Sequence, residues 1–112
     1  MEYLIGVDIG TQGTKAVLIN CEGKILTQSY KGYKVDTPRP SWAEQWPQPW
    51  VDATFETIKG VVDKANVDVK NIKGVSISGL YGGSGIPVDK DIKPLAPCLI
   101  WMDRRAEKEV KW

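Results

Sequence analysis

The chain of 112 residues carries 15 basic and 14 acidic side chains, for a net charge of +1, and it is 42% hydrophobic with two cysteines and no histidine. Charges of both signs alternate along it, so there is no concentrated basic face for a polyanion and nucleic acid is not an expected partner. The lack of histidine and of any CxxC pair excludes zinc sites and His-based triads, and no apolar stretch approaches the ~20 residues that span a bilayer. With no basic-then-apolar leader either, a soluble cytoplasmic protein is expected, in which Cys21 and Cys98 are incidental thiols rather than a disulfide.

Tyr3 to Val7 is short, apolar and β-prone, and reads as a strand buried on both faces. Asp8 stands where that strand gives out. Gly10 and Gly13 allow positive φ, so the turn Ile9 to Thr14 can bring several N–H donors to an anion, with hydroxyls from Thr11 and Thr14 and a positive charge from Lys15. The same residues also suit an ordinary tight hairpin, and Lys15 an ordinary solvated strand position. A second strand, Lys15 to Asn20, places Ala16 and Leu18 on one face and Val17 and Ile19 on the other. The turn therefore joins two strands, and neither GxxxxGK[ST] nor a helix-opening GxGxxG is present. Asn20 to Lys24 reads as a turn, and Ile25 to Tyr33 as a third strand whose imperfect alternation suits a sheet edge.

Val35 to Trp46, with Pro38 and Pro40, reads as a loop crossing the sheet. A helix is expected to begin at Pro47 or Pro49, since proline costs no intrahelical bond in the first turn. Val51, Phe55, Ile58, Val62 and Ala65 form its apolar stripe, with Asp52, Glu56, Lys59 and Asp63 largely off it. Ile72 to Ser78 is then a strand parallel to the first, with its C-terminal end at the same sheet edge as Asp8. Gly79 to Gly85 has four glycines and permits close approach by another molecule. Ile86 to Val88 and Cys98 to Trp101 read as short strands flanking a turn at Asp89 to Lys93, and Asp103 as the cap of a helix starting at Arg104.

Four segments stand in order along the chain: DIGTQGTK (Asp8 to Lys15), SWAEQWPQPW (Ser41 to Trp50), GVSISG (Gly74 to Gly79) and VDKDIKPLAPCLIWMDRRA (Val88 to Ala106). Together they resemble the FGGY family of carbohydrate kinases, which includes xylulokinase and glycerol kinase, within the superfamily of sugar kinases, Hsp70 and actin ATPases. The resemblance implies a ribonuclease-H-like α/β fold, with a mixed sheet of three meandering strands followed by a helix and a parallel strand. It also implies that residues 1–112 are the first, incomplete part of an N-terminal domain in a longer enzyme, and the apolar surface so left open would favour a homodimer.

The implied activity is transfer of the γ-phosphoryl of ATP, with Mg²⁺, to a hydroxyl of a sugar or polyol, with xylulose favoured. By resemblance Asp8 holds the metal, and Gly10, Thr11, Gln12, Gly13, Thr14 and Lys15 surround the phosphates, Thr14 being the one whose side chain can turn into the sheet. Trp42, in the tryptophan-rich loop with Trp46 and Trp50, borders the sugar, although three indoles in nine residues equally suit anchors for the loop and helix. Asp103, in the string WxDxR, borders the active cleft or caps its helix. Ser78 to Gly83 occupies the place of the family's acceptor-binding residues, where Tyr81 and Gly82 are the nearest matches, yet it has none of the Gln, His, Arg or Glu used there. The general base is expected further along the chain. Two rival readings share the hairpin: a partner-coupled ATPase of the Hsp70 or actin type, and a non-catalytic sugar-sensing module.

Overall fold

The computed structural model describes residues 1–79 and 83–111. Strand β1 (Tyr3–Ile9) turns back into β2 (Gly13–Asn20), which turns again into β3 (Ile25–Gly32). Asn20 makes the second turn by accepting the N–H groups of Glu22 and Lys24 on its side-chain oxygen, both at 3.0 Å. A long crossing segment leads to the two-residue strand β4 (Glu44–Gln45) and helix α1 (Pro47–Ala65). The chain then returns as β5 (Ile72–Ser78), parallel to β1, so the mixed sheet runs in the order β3-β2-β1-β5 with β3 at an edge, as expected.

Pro47 opens α1, and Asn66 ends it in the left-handed conformation (φ 52°), with its N–H bonded to the Val62 carbonyl. The helix lies on one face of the sheet, where Ile5, Val7, Ala16, Leu18 and Val61 form the buried cluster. Leu18 and Val61 are fully buried, each stabilising the fold by roughly 1.5–3 kcal/mol relative to exposure.

Four expectations are corrected here. First, β1 is buried on one face only: Ile5 and Val7 face α1, while Leu4 on the opposite face is 43% exposed. One helix covers one side, and no described residue covers the other. Second, the buried face of α1 is rotated from the apolar stripe, since Ala53, Thr54, Thr57 and Val61 are buried while Phe55 is 70% exposed. Small side chains let the helix sit close to the sheet. The threonines bring no unpaired hydroxyl with them, because Thr54 donates to the Trp50 carbonyl and Thr57 to that of Ala53. Gly60 belongs to the same contact, as a Cβ there would lie 2.5 Å from Ser29 Oγ on β3.

Third, of the short strands expected at Ile86 to Val88 and Cys98 to Trp101, the first is not a strand and the second is shortened to two residues. Val88 makes an isolated bridge to Pro94 across the expected Asp89 turn, and β6 (Cys98–Leu99) pairs instead with β4. Fourth, the last helix, α2 (Glu107–Val110), begins three residues later than expected, behind Ala106 rather than Asp103. Both cysteines are free thiols. Among the described residues, no helix is long and apolar enough to cross a membrane.

Candidate functional site

Asp8 and Lys15 stand directly opposite each other on the β1–β2 ladder, and Asp8 is also level with Ser78 on β5. All three lie on the face of the sheet away from α1, where they border a shallow cavity of about 320 Å³ with Gly6, Val17 and Ser76. The Ser78 hydroxyl donates to Asp8 Oδ1 at 2.8 Å. Among the described residues Lys15 forms no ion pair, so its charge stays available at the mouth of the cavity. Strand alternation thus gathers an acid, a base and a hydroxyl at one sheet edge, where the parallel strands β1 and β5 both end.

The turn between β1 and β2 is closed by the Gly10 N–H donating to the Gly13 carbonyl at 2.9 Å. Neither glycine has positive φ, contrary to expectation. Gly13 serves close packing instead, since a Cβ there would collide with the Tyr30 ring and stand 2.7 Å from the Lys31 carbonyl oxygen. The carbonyl oxygens of residues 10–13 all accept hydrogen bonds from within the protein. Gly10 takes the Tyr33 hydroxyl, Thr11 takes Gln45 Nε2 at 2.7 Å, Gln12 takes the Tyr33 N–H at 3.1 Å, and Gly13 takes the Gly10 N–H. The backbone N–H groups of Thr11 and Gln12 have no acceptor among the described residues. A turn whose acceptors are occupied and whose donors are open favours an anion.

Among the residues expected around the phosphates, Thr14 is the one that turns into the sheet. Its side chain is fully buried on the helix side of the sheet, and its hydroxyl lies 3.0 Å from Tyr33 Oη. Because the single Tyr33 proton goes to Gly10, Thr14 is the donor in that pair. Burial pushes the Tyr33 phenol above its ordinary value, partly offset by the Thr14 bond, so it remains a neutral donor to the turn.

Asp103 likewise does other work than a helix cap. Its carboxylate accepts the Ala43 N–H at 2.8 Å and Arg105 Nε at 2.9 Å, while Arg105 also reaches Glu44 Oε2 at 2.9 Å. Burial opposes the charged form of Asp103, but the donors from Ala43 and Arg105 outweigh it and hold the carboxyl below its usual range. Trp42 stacks on this group, with the Arg105 guanidinium 3.7 Å from its ring centroid and that of Arg39 at 4.9 Å. The segments around Trp42 and Asp103 therefore meet as a structural ribbon through β4 and β6, and their polar groups are engaged within the fold. Trp46 and Trp50 border a separate cavity of about 180 Å³, where Trp50 Nε1 donates to Gln45 Oε1 at 3.2 Å. Tyr81 and Gly82 lie outside the described residues.

Sequence reading missed Ser78, Tyr33 and Gln45. Ser78 could be found by setting β1 and β5 in parallel register, whereas Tyr33 and Gln45 reach the turn from 23 and 34 residues away without a local signal. No cluster of three metal-ligating side chains occurs among the described residues. One carboxylate beside one hydroxyl nevertheless fits Mg²⁺, a hard cation that keeps several waters and needs few protein oxygens when phosphates supply others.

Residues 3–112 match the model of the FGGY family of carbohydrate kinases, N-terminal domain. The chain is 35% identical over 105 residues to a xylulose kinase of Bacillus subtilis (strain 168), covering 94% of this chain and 21% of the relative. It is 37% identical over 105 residues to a gluconokinase of the same organism, covering 94% and 20% respectively. A solved xylulose kinase structure from Brucella ovis superimposes with a TM-score of 0.90 at 29% identity, over 98% of this chain and 23% of that one. The chain thus spans about a fifth of the length of the curated relatives it matches. Its mixed sheet is the ribonuclease-H-like arrangement. By the match over nearly its whole length, the chain belongs to the FGGY family of carbohydrate kinases.

Proposed function

We propose that the chain is the first part of the N-terminal domain of an ATP-dependent carbohydrate kinase, a longer cytoplasmic enzyme to which it contributes the phosphate hairpin. The observation that carries this reading is the edge where Asp8, Lys15 and Ser78 meet beside a turn with two open N–H donors. In phosphoryl transfer the protein chiefly positions reactants and neutralises charge, and these groups suit that task. The N–H groups of Thr11 and Gln12 bind phosphate oxygens, Lys15 supplies a cation beside them, and Asp8 with Ser78 holds Mg²⁺. When bound, the metal offsets the charge of the phosphoryl group in transit. The base that takes the acceptor's proton comes from another part of the enzyme.

Xylulose is the favoured acceptor, supported by the resemblance to xylulose kinases and weighed against gluconate by the comparable identity to a gluconokinase. The test is ADP release by the full-length protein with Mg·ATP, offering xylulose, gluconate and glycerol in turn, beside Asp8→Ala. Release stimulated by one acceptor and lost in the variant upholds the reading and names the substrate. Acceptor-independent hydrolysis would move it to a partner-coupled ATPase, and no turnover to a non-catalytic module.

A further inference from the structure

We infer that Tyr33 and Gln45 are positioning residues for the nucleotide, acting by fixing the two peptide planes at the tip of the hairpin turn. The inference rests on the reading of that turn as a phosphate site. A trans peptide is planar, with its C=O and N–H pointing in opposite directions, so holding the oxygen fixes where the hydrogen points. The carbonyl held by the Tyr33 hydroxyl is that of Gly10, which shares its peptide plane with the Thr11 N–H. The carbonyl held by Gln45 Nε2 is that of Thr11, which shares its plane with the Gln12 N–H. Within the turn, the two carbonyls held by side chains alone, those of Gly10 and Thr11, therefore share their peptide planes with the open N–H groups of Thr11 and Gln12.

Each holding group is itself held. Gln45 is 3% exposed; its amide nitrogen also donates to the Lys34 carbonyl at 3.1 Å, and its oxygen accepts Trp50 Nε1, which fixes the direction of the amide. Tyr33 receives the Thr14 hydroxyl and so must spend its own proton on Gly10. Both residues stand behind the turn, on the carbonyl side, and would not touch the nucleotide. Their effect is preorganisation: the N–H pair is aimed before the phosphate arrives, and the peptides need not rotate on binding.

The test compares full-length wild type with Tyr33→Phe, Gln45→Leu and Trp50→Phe, measuring Mg·ATP affinity by calorimetry, KM for ATP and for the acceptor, and the folded fraction at the assay temperature. Thr27→Val serves as a control, since it removes a bond from β3 to the Val61 carbonyl of α1 at a distance from the turn. Tyr33→Phe and Gln45→Leu are expected to weaken Mg·ATP binding and raise KM for ATP by about tenfold, with KM for the acceptor unchanged. Trp50→Phe, which frees the Gln45 amide without removing it, should fall between these and wild type, and Thr27→Val should bind as wild type does. If Gln45→Leu does not fold, the other two substitutions decide. Loss of stability in Tyr33→Phe and Trp50→Phe at unchanged Mg·ATP affinity overturns this inference alone. Absence of nucleotide binding by wild type overturns the kinase reading and this inference with it.

Discussion

At the hairpin edge, Asp8, Lys15 and the N–H groups of Thr11 and Gln12 stand with few partners, whereas in the ribbon of Trp42, Glu44, Asp103 and Arg105 each carboxylate has a donor and the guanidinium has two carboxylates and an indole. Both regions are polar and aromatic, and both belong to family motifs. Satisfaction of the polar groups separates them. A matched, part-buried network holds a fold together, because breaking it strands a desolvated charge. Unmatched groups at a sheet edge keep their capacity for a ligand. Gln45 joins the two regions, sitting in the ribbon strand β4 while donating to Thr11 in the turn.

The strongest way to break this comparison is Asp8→Ala. It should lower kcat of the full-length enzyme by about a hundredfold or more, as loss of a charge-stabilising group does. The melting temperature should stay close to wild type, since the exposed bond to Ser78 contributes little. Coupled ADP-release kinetics beside a thermal melt give both numbers, and a large fall in stability would place Asp8 with the ribbon instead.

Arg105→Ala should behave in the opposite sense. It removes both ion pairs and the indole contact, leaving the part-buried carboxylates of Glu44 and Asp103 without their guanidinium donor, so denaturant unfolding should show a clear loss of stability. Acceptor and nucleotide KM, measured where the variant is still folded, should be little changed.

Gly13→Ala tests the border between the regions. The added carbon meets Tyr30 and the Lys31 carbonyl, so β3 must shift, costing about 2 kcal/mol by chemical denaturation. A neutral result would show that Tyr30 moves aside freely.

The smallest effect is expected from pH. Folding lowers the Asp103 pKa, so its contribution is complete above the unfolded carboxyl value of about 3.9 and is lost as pH falls through the lower folded value. Melting curves between about pH 5 and pH 2 should therefore fall more steeply for wild type than for Asp103→Asn. Equal slopes would mean that Asp103 is no more stabilised as an anion in the fold than in the open chain.

Local chemistry made much of the fold legible. The turn at Asn20, the first-turn proline of α1 and the parallel return of β5 depend on neighbours in sequence or on the handedness of the crossover, and all lie where the residues indicate. The buried face of α1 was not legible, because Thr54 and Thr57 count as polar until their hydroxyls are seen to bond to their own helix. Strand β4 is two residues long and has no periodicity to detect. Asp103 before Arg104 looks like a cap, and only the distant N–H of Ala43 shows its use.

What the sequence determined by itself is the order of strands and helix and the presence of Asp8 and Lys15 at a strand–turn–strand junction, since hydrophobic period and turn chemistry act over a few residues. What only the tertiary structure decided is which polar groups remain open. That depends on partners such as Tyr33, Gln45 and Ser78, brought in from 23, 34 and 70 residues away, and on the single-sided cover that α1 provides. A hydrogen bond forms wherever the folded chain places donor against acceptor, so the division between scaffold and site is made by packing rather than by residue type.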